Sequence, residues 1–382
     1  MEVLSITTFL VLIAIFSWAY LLPLHLKGLG ATNRIVGISY TLFILGFTFF
    51  QVLGGFLADR WGRKRMITLP GYVSAPLYLV MAMTKDWRVV TFTYFIINVM
   101  SSLQMPSFLP LIAESSERRE ESFAFFNTLT SLGLGAGTLA GALLLKPLGL
   151  KHLMILSAVT VFVCTLLRHT LIKETKDLNS HKPSFTFSLN RRLIYFLIAA
   201  SVIALAMALT LNGPLVTLYL QESFGKSKEE INLLYAAGWI VAALLSFVAG
   251  RLSERYSSRM VLSFSVLFHP FFLIAYFSSK GLPVPPILFL LLSFILFQFF
   301  MITQSLTLAS LTDEKNRGRV TGFFGAVTGV IASLGPAIGV ELKITFGGLT
   351  PFFLALGLGA LAFLMLFRSP GRVCYTLKRS DK

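Results

Sequence analysis

The sequence has little charge for its size, and this scarcity restricts the class of protein. Only 13% of its 382 residues are Asp, Glu, Lys or Arg, whereas soluble domains carry about 25%. Hydrophobic residues make up 55% of the chain. Because a soluble fold must cover itself with polar groups, this composition argues against a water-soluble protein and favours a membrane protein.

Cysteines and catalytic motifs are also scarce. Cys164 stands in an apolar run and Cys374 near the basic C-terminus, so the chain shows no disulfide framework or metal site. The five histidines are scattered, without a His-Glu-x-x-His pattern, and there is no Gly-x-x-x-x-Gly-Lys-Ser/Thr nucleotide loop. We therefore expect no cofactor, no direct use of ATP and no enzymatic activity.

Apolar runs of the length that crosses a bilayer, about 20 residues, recur twelve times. They cover residues 5–24, 35–57, 66–83, 89–112, 123–145, 152–172, 193–220, 231–249, 260–278, 286–311, 320–342 and 350–367. The longest polar link separates the sixth from the seventh. These runs predict an all-α membrane protein with helical halves at 1–172 and 193–368, a linker at 173–192 and a basic tail at 369–382.

The basic residues are unevenly distributed along this pattern. The net charge is +16, and 23 of the 33 Lys and Arg fall in alternate links, at the adjoining helix ends and in the tail. Basic links stay on the cytoplasmic side of a membrane. We therefore expect both termini in the cytoplasm of a cell (inner) membrane protein, and no nucleic-acid partner.

The two halves repeat each other. At an offset of 195 residues, Tyr40 falls on Tyr235 and Asp59 on Glu254; at an offset of 200, Gln104 falls on Gln304. Internal repeats of this kind are typical of transporters, in which one half moves against the other.

A charged hairpin between the second and third runs carries the most specific motif. It consists of Gly55, Asp59, Arg60, Gly62, Arg63 and Lys64, and a weaker copy has Gly250, Glu254 and Arg255. The first set resembles the G-x-x-x-D-R-x-G-R-[KR] signature of the major facilitator superfamily. The resemblance covers essentially the whole chain and implies twelve helices in two six-helix bundles, with transport by alternating access.

The motif suggests a gate between the halves. The Asp59 carboxylate is expected to face the N-terminal end of the eleventh helix, near Val320, which is favourable by about 0.3–1 kcal/mol at exposed sites. Arg63 is expected to reach Glu114. Gly55 would permit close helix packing, and Gly62 a tight turn. The alternative is that these bases only set the topology.

Two features common among drug antiporters of this superfamily are missing. The fourth run has Asn98, Ser101, Ser102 and Gln104 in place of an arginine. The Gly-Pro-x-x-Gly pattern expected in the fifth run occurs instead at 335–339, in the eleventh. These departures leave the driving force open.

The resemblance also implies that helices 1, 4, 7 and 10 line a central cavity. On them lie the candidate substrate contacts Trp18, Tyr20, Asn98, Ser102, Gln104, Asn212, Gln298 and Gln304. The sequence Asn212-Gly213-Pro214 predicts a kink in the seventh helix. Two alternatives stay open: the amides join helix to helix, and the aromatic residues form an interfacial belt.

Ionisable groups are almost absent from the middle of the runs. No Asp or Glu lies there, and His269, followed by Pro270, is the ionisable residue near a midpoint. Intramembrane ionisable residues are often functional, which makes His269 a candidate for proton coupling, together with the edge acids Asp59 and Glu114. The alternative is a histidine bonded to a backbone carbonyl freed by Pro270.

A cavity with aromatic and amide groups but no fixed charge suits a neutral or amphipathic organic solute. Efflux of hydrophobic compounds is the leading functional prediction. A lipid or lysolipid flippase, an uncoupled metabolite facilitator and a non-transporting membrane sensor are the alternatives. The expected partners are a small-molecule substrate and membrane lipids, with protons left open, and we expect a monomer.

Overall fold

The computed structural model describes residues 2–115, 118–175, 190–211, 213–279, 286–312 and 317–368. Every regular element within these ranges is helical. The α-helices are α1 (Glu2–Phe16), α2 (Leu22–Gly28), α3 (Asn33–Trp61), α4 (Arg63–Met83), α5 (Trp87–Ser115), α6 (Arg119–Leu171), α7 (Arg191–Ala208), α8 (Leu215–Glu222), α9 (Lys228–Leu244), α10 (Ser246–Tyr256), α11 (Ser258–Ser278), α12 (Pro286–Ser310), α13 (Arg317–Phe346) and α14 (Thr350–Arg368). A 3₁₀ turn, Ala19–Leu21, separates α1 from α2.

These helices make up the twelve predicted spans. Ten described segments are long and apolar enough to cross a membrane, and the bent pair α9–α10, with 44° between its parts, brings the number to eleven. The segment in α6 contains two spans, because the backbone leaves the helical region at Gly149 (φ 73°). Most of the linker, 176–189, and the tail 369–382 lie outside the described residues.

The first span of each half is broken at an equivalent place. The first span leaves the α-helix after Phe16 and resumes at Leu22, a break that the apolar pattern did not predict. The seventh span breaks between Ala208 and Leu215, where a kink was predicted, although Asn212 itself lies outside the described residues. Each break frees backbone carbonyls from their helical partners.

The two halves meet along two seams that are related by the repeat. In one seam α3 packs on α13, where a Cβ at Gly37 would lie 3.0 Å from Val340. In the other, α6 packs on α9, where a Cβ at Gly135 would lie 2.8 Å from Ile240. Glycine permits these close approaches because it brings no side chain of its own.

Both seams separate toward the end that carries the 55–65 hairpin, which we call the motif end. On α13 a methyl group at Gly329 would overlap Thr48, yet at Gly325 and Gly322 it would meet no described atom within 4 Å. The three glycines share one helical face. In the other seam, Leu244 and Phe247 continue the face of Ile240 and are 66% and 55% exposed. The halves are therefore in contact at the opposite end and apart at the motif end.

Candidate functional site

The hairpin motif forms an ion-pair chain within the N-terminal half. An Arg63 guanidinium nitrogen lies 3.2 Å from an Asp59 carboxylate oxygen and another lies 3.6 Å from Glu114. The Arg63 side chain is only 13% exposed, so its charge depends on these acids. The geometry places Arg63 against Glu114 as expected from the sequence, while Arg60 is exposed.

The turn between α3 and α4 is capped by a residue that the sequence analysis missed. Gly62 has φ 96°, and the backbone N–H groups of Arg63 and Lys64 donate to the Glu174 carboxylate at 2.8 and 3.0 Å. A Cβ at Gly62 would overlap that carboxylate. Gly62 is therefore required for its backbone angle and for the approach of Glu174, whose charge also suits a helix N-terminus.

The start of the linker is attached to the same group of residues. The Thr175 hydroxyl donates to Glu114 at 2.6 Å, next to the Glu174 cap. Glu114 therefore contacts both Arg63 and the linker. The sequence offered one signal for this arrangement, an acid two residues after the end of the sixth apolar run, but no indication of which loop it would reach.

The weaker copy of the motif is built differently. Ser257, the repeat equivalent of Gly62, also has φ 96°, and its own hydroxyl accepts from the Met260 N–H at 3.4 Å. Glu254 and Arg255 are exposed, and neither forms an ion pair among the described residues. A Cβ at Gly250 would meet no atom of the described chain within 4 Å. The second loop thus caps itself, whereas the first depends on Glu174.

Close packing at the motif comes from a neighbouring glycine. A Cβ at Gly54 would lie 2.8 Å from the backbone of Leu103 on α5, whereas one at Gly55 would lie 3.8 Å from Pro106, an ordinary contact. The predicted close approach therefore occurs one residue earlier than expected. The reason is rotational: Gly54 faces the axis of α5 directly, and Gly55 points about 100° away from it.

The opposite end of the bundle is held by ion pairs that cross between the halves. The carboxylate of Glu222 on α8 accepts from Lys27 on α2 and Asn33 on α3, which belong to the other half, and from Lys343 on α13 in its own half. We call these four residues the Glu222 cluster and this end the lock end. Beside it, Arg34 makes a two-point contact with Glu341, at 2.7 and 2.8 Å.

Charge balance keeps Glu222 ionised in this cluster. Burial raises its pKa, but hydrogen bonds from Lys27 and Lys343 outweigh burial and hold the pKa below its ordinary value. Lys27 and Glu222 are also equivalent in the repeat, at the offset of 195. Residues that are both equivalent and in contact lie near the pseudo-two-fold axis, which places this pair at the centre of the closed end.

Beneath the Glu222 cluster, side chains of the C-terminal half bind the broken first span. Asn232 on α9 donates to the Ser17 carbonyl at 2.8 Å, and the Thr217 hydroxyl on α8 donates to the Tyr20 carbonyl at 3.0 Å. These carbonyls are the ones that the break leaves without helical partners. A methyl group at Gly141 would overlap the Ser17 carbonyl oxygen, so α6 also touches this point.

A cluster of tyrosines occupies the centre between the halves. The Tyr20 ring stacks on Tyr235 with centroids 4.0 Å apart. Tyr40 and Tyr94 both pack against the Phe43 ring, with centroids 5.5 and 4.9 Å away. None of these residues carries a formal charge at neutral pH. The repeat pair Tyr40 and Tyr235 was the sequence signal for this cluster, although Tyr20 alone was named as a cavity residue.

Several predicted cavity amides have no protein partner among the described residues. Gln104, Gln298 and Gln304 are partly exposed and make no side-chain hydrogen bond in the part of the chain that the structure describes. Their amides therefore do not join helices here. Asn98 differs, because it donates to the Tyr94 carbonyl of its own helix at 2.8 Å.

Two predicted cavity residues belong to the packed interior instead. Trp18 is fully buried, and its indole N–H donates to the Ser157 hydroxyl at 2.8 Å. Ser102 is also fully buried and donates to the Val99 carbonyl at 2.7 Å. Both expectations are therefore corrected for this conformation: their side chains face neighbouring helices of the N-terminal half, where their polar atoms are already satisfied.

His269 is bonded on both ring nitrogens inside the C-terminal half. Its Nε2 lies 2.9 Å from the Thr210 hydroxyl, and its Nδ1 lies 2.9 Å from both the carbonyl and the hydroxyl oxygen of Ser293. The backbone partner is on α12, so it is not the carbonyl freed by Pro270. The Thr210 hydroxyl also lies 2.8 Å from the Met207 carbonyl oxygen, so the polar partners of the His269 ring all belong to the C-terminal half.

Comparison with known families gives the class of the protein. The profile of the Major Facilitator Superfamily matches residues 4–208 and again 198–373, one match for each half. The chain belongs to this superfamily and has its twelve-helix transporter fold.

Relatives and solved structures agree with this assignment. The multidrug resistance protein MdtG of Salmonella paratyphi A is 30% identical over 266 residues, 63% of each chain. The MdtG protein of Rahnella sp. (strain Y9602) is 26% identical over 87% of this chain and 84% of its own. The nucleoside transporter NupG superposes with a TM-score of 0.77 at 18% identity, over 97% of this chain and 99% of its own. The human organic anion transporter MFSD10 gives 0.70 at 18% identity, over 96% and 98%.

Proposed function

We propose that this protein works by alternating access and exports neutral or amphipathic organic compounds. One observation carries the proposal: an uncharged tyrosine cluster lies between two halves that are joined at the lock end and apart at the motif end. A transporter that alternates must present its site to one side at a time. A closed lock end together with an open motif end corresponds to one of these two states.

The chemistry of the centre supports the substrate class. Aromatic faces bind apolar and planar groups, and the partly exposed amides of Gln104, Gln298 and Gln304 offer both donors and acceptors. A fully charged anion would find no compensating base among the tyrosines. The printed names of the MdtG relatives support multidrug efflux, although the first of them matches the chain over only 63% of its own length.

The seam openings favour a second candidate, a lipid or lysolipid flippase. Val52, Leu244 and Phe247 are more than half exposed along the separated parts of the seams. Such apolar edges would allow an amphipathic molecule to enter sideways from the membrane. An uncoupled facilitator is compatible with the same geometry, since proton coupling is a prediction that rests on His269, Asp59 and Glu114.

Flux measurements in proteoliposomes test the proposal. The probes are a neutral dye, a lipophilic cation, an organic anion and a fluorescent lysolipid, each with and without a pH gradient. The matched control is the chain with Lys27→Cys and Glu222→Cys and with Cys164 and Cys374 replaced by serine, in which a short, reducible thiol crosslinker would hold the lock end closed. We expect neutral and cationic probes to move, movement to stop on crosslinking and to return when the crosslink is reduced.

The outcomes separate the candidates. Movement of the lysolipid alone would favour the flippase, and dye flux without pH-gradient dependence would favour a facilitator. Absence of any flux in the reduced protein would support a sensor and contradict the proposal.

We also propose that the motif end faces the cytoplasm, as the distribution of basic residues indicates. Single cysteines at Ser180 in the linker and at Lys226 near the lock end, in a chain with Cys164 and Cys374 replaced by serine, should react from opposite sides with an impermeant reagent. Reaction of both from the outside would contradict this orientation.

A further inference from the structure

One tryptophan near the centre of the protein holds an unused hydrogen-bond donor. The indole Nε1 of Trp239 on α9 is buried, yet it has no hydrogen-bond partner among the described residues. Trp18 shows the usual arrangement, because its indole N–H donates to the Ser157 hydroxyl at 2.8 Å. Buried indole N–H groups normally find such a partner, so the unused donor of Trp239 requires an explanation.

Trp239 lies beside the tyrosine cluster between the halves. Its ring meets Phe294 and Phe297 on α12 edge to face, with centroids 5.4 and 6.0 Å away. Phe294 in turn packs edge to face on Tyr235, which stacks on Tyr20 of the other half. The Tyr20 hydroxyl lies near the Trp239 N–H without reaching hydrogen-bond geometry. The unused donor therefore lies at the boundary between the halves.

The face of α12 that packs on Trp239 changes from buried to exposed toward the motif end. Phe294 is 1% exposed, Gln298 one turn further along is partly exposed, and Met301 is 50% exposed. Their spacing of four and three residues places them on one helical face. Trp239 is itself partly exposed. It therefore lies at the inner end of the space that opens toward the motif end, where a solute entering from that side would meet it.

The polar groups closest to Trp239 on its own helix already have partners. The Tyr235 hydroxyl lies 3.2 Å from the Thr217 hydroxyl, and the Asn232 side-chain nitrogen donates to the Ser17 carbonyl at 2.8 Å. An indole N–H can donate but cannot accept. The group that completes the surroundings of Trp239 must therefore carry a hydrogen-bond acceptor.

We propose that Trp239 is a specificity-determining residue whose indole N–H donates to an acceptor oxygen of the transported compound. The preferred substrates are then neutral aromatic compounds with a carbonyl or ether oxygen. Their rings pack against the aromatic side chains around Trp239, and the oxygen accepts from the unused N–H. A compound without an acceptor leaves that donor unsatisfied and binds less tightly. The inference rests on the proposed function and names the substrate class more narrowly.

Binding of two matched dyes tests the inference. One is a neutral naphthalene dye with a propionyl group, and the other carries a propyl group instead, so that only the carbonyl oxygen differs. Binding is measured by scintillation proximity with the tritiated dyes on protein in nanodiscs, and empty nanodiscs correct for partition into lipid. We expect Trp239→Phe, which keeps an aromatic ring, to weaken binding of the propionyl dye about three- to tenfold, as for one neutral hydrogen bond.

The propyl dye and a second variant provide the controls. Binding of the propyl dye should change by less than about twofold in Trp239→Phe, because it makes no hydrogen bond to lose. Trp87→Phe, which makes the same change at the start of α5, should bind both dyes as the unmodified chain does. Elution of each variant as a single species checks its folding.

The indole N–H resonances give a direct measurement. The chain has four tryptophans, and with nitrogen-15 in their indoles the Trp239 signal is identified by its loss in Trp239→Phe. The propionyl dye should move the Trp239 proton downfield relative to the propyl dye. The Trp18 signal should not move, because its N–H is already bonded to Ser157.

The outcomes separate this inference from the proposed function. Equal weakening of both dyes in Trp239→Phe, or a Trp239 signal that does not distinguish them, would overturn the inference and leave the proposed function in place. Failure of both dyes to bind the unmodified chain would contradict the proposed substrate class and the inference together.

Discussion

The two ends of the bundle use charge in different ways. At the lock end, Glu222 and Glu341 accept from Lys27 and Arg34 of the other half. At the motif end, Arg63 pairs with Asp59 and Glu114 of its own half. Among the described side chains, ion pairs thus join the halves where the seams are closed and lie within one half where the seams are apart. The difference indicates that charged contacts between the halves depend on the conformation of the protein.

The two seams between the halves run from the lock end toward the motif end. Between the ends, contact depends on glycine and on hydrogen bonds to the broken first span, which tolerate little change in distance. The ion pairs at the surface are longer-range and weaker. We therefore expect changes in the seam to shift the conformation more than changes in the charges, and the following predictions are ordered accordingly.

The largest effect is expected from Gly329→Ala. The added methyl group on α13 would overlap the Thr48 side chain of the other half, so it acts only while the seam is closed there. We expect a penalty of roughly 3 kcal/mol on the lock-closed state, the upper part of the range for overpacking, or about a hundredfold change in the open-to-closed ratio. The distance between spin labels at Lys151→Cys on α6 and Phe346→Cys on α13, exposed positions on either side of the lock end, measures this change. Gly325→Ala is the control, since no described atom lies within 4 Å of its Cβ position; equal distances in the two variants would contradict the prediction.

Glu222→Gln should have the next largest effect. It removes the charge that joins Lys27 to the C-terminal half, and partly exposed pairs contribute about 1 kcal/mol or less. We expect the open fraction at the lock end to increase up to about fivefold. Lys226→Gln, which breaks a pair with Glu230 inside one half, should leave the distance unchanged. Equal opening of the lock end in both variants would show that an ion pair between the halves stabilises the closed state no more than an ion pair within one half.

Glu174→Gln tests the cap that distinguishes the first loop from its copy. The loss of charge at two backbone N–H groups should cost about 1 kcal/mol, similar to the loss of a helix cap. We expect faster hydrogen exchange at the start of α4. Ser257→Ala, which removes the hydroxyl cap of the copy, should affect only the start of α11. Unchanged exchange in α4 would show that the carboxylate does not hold the loop.

Asp59→Asn is expected to shift the populations least. If Asp59 stabilises the state in which the motif end is closed, its loss should favour the motif-open state by about 0.3–1 kcal/mol, or roughly two- to fivefold. Transport should decrease more than the yield of folded protein, because the acid is needed in one state. Wild-type transport with unchanged populations would leave Asp59 without a role in gating.

The sequence predicted the features that depend on local pattern. Twelve apolar runs, the division into halves and the ion pair of Arg63 with Glu114 all followed from residue type, spacing and the motif. The kink near Gly213 was predictable because Gly and Pro act on their own backbone. The break after Phe16 was not predicted, although Pro23 in the first turn of α2 is compatible with a helix start there; the freed carbonyls are bound by Asn232 and Thr217 from the other half.

Residue roles inside the bundle were harder to predict. The buried side chain of Arg168 illustrates this: its position at a helix end suggested a topological base, yet it donates to the hydroxyls of Thr7 and Thr8 at 2.8 and 2.9 Å. Trp18 and Ser102 likewise stood on helices that were expected to line the cavity but face the packed interior. The spacing of residues shows which of them share one face of a helix. The direction in which that face points depends on how the helix packs against its neighbours.

The sequence by itself determined the helices, their order and the superfamily, since these depend on hydrophobic length, repeat and a contiguous motif. Only the tertiary structure decided which end is closed, that Glu174 caps the loop at Gly62, and that Asn232 and Thr217 bind the broken first span from the other half. Those features arise from contacts between residues more than a hundred positions apart. Their partners are chosen by the packing of whole helices, which no local pattern specifies.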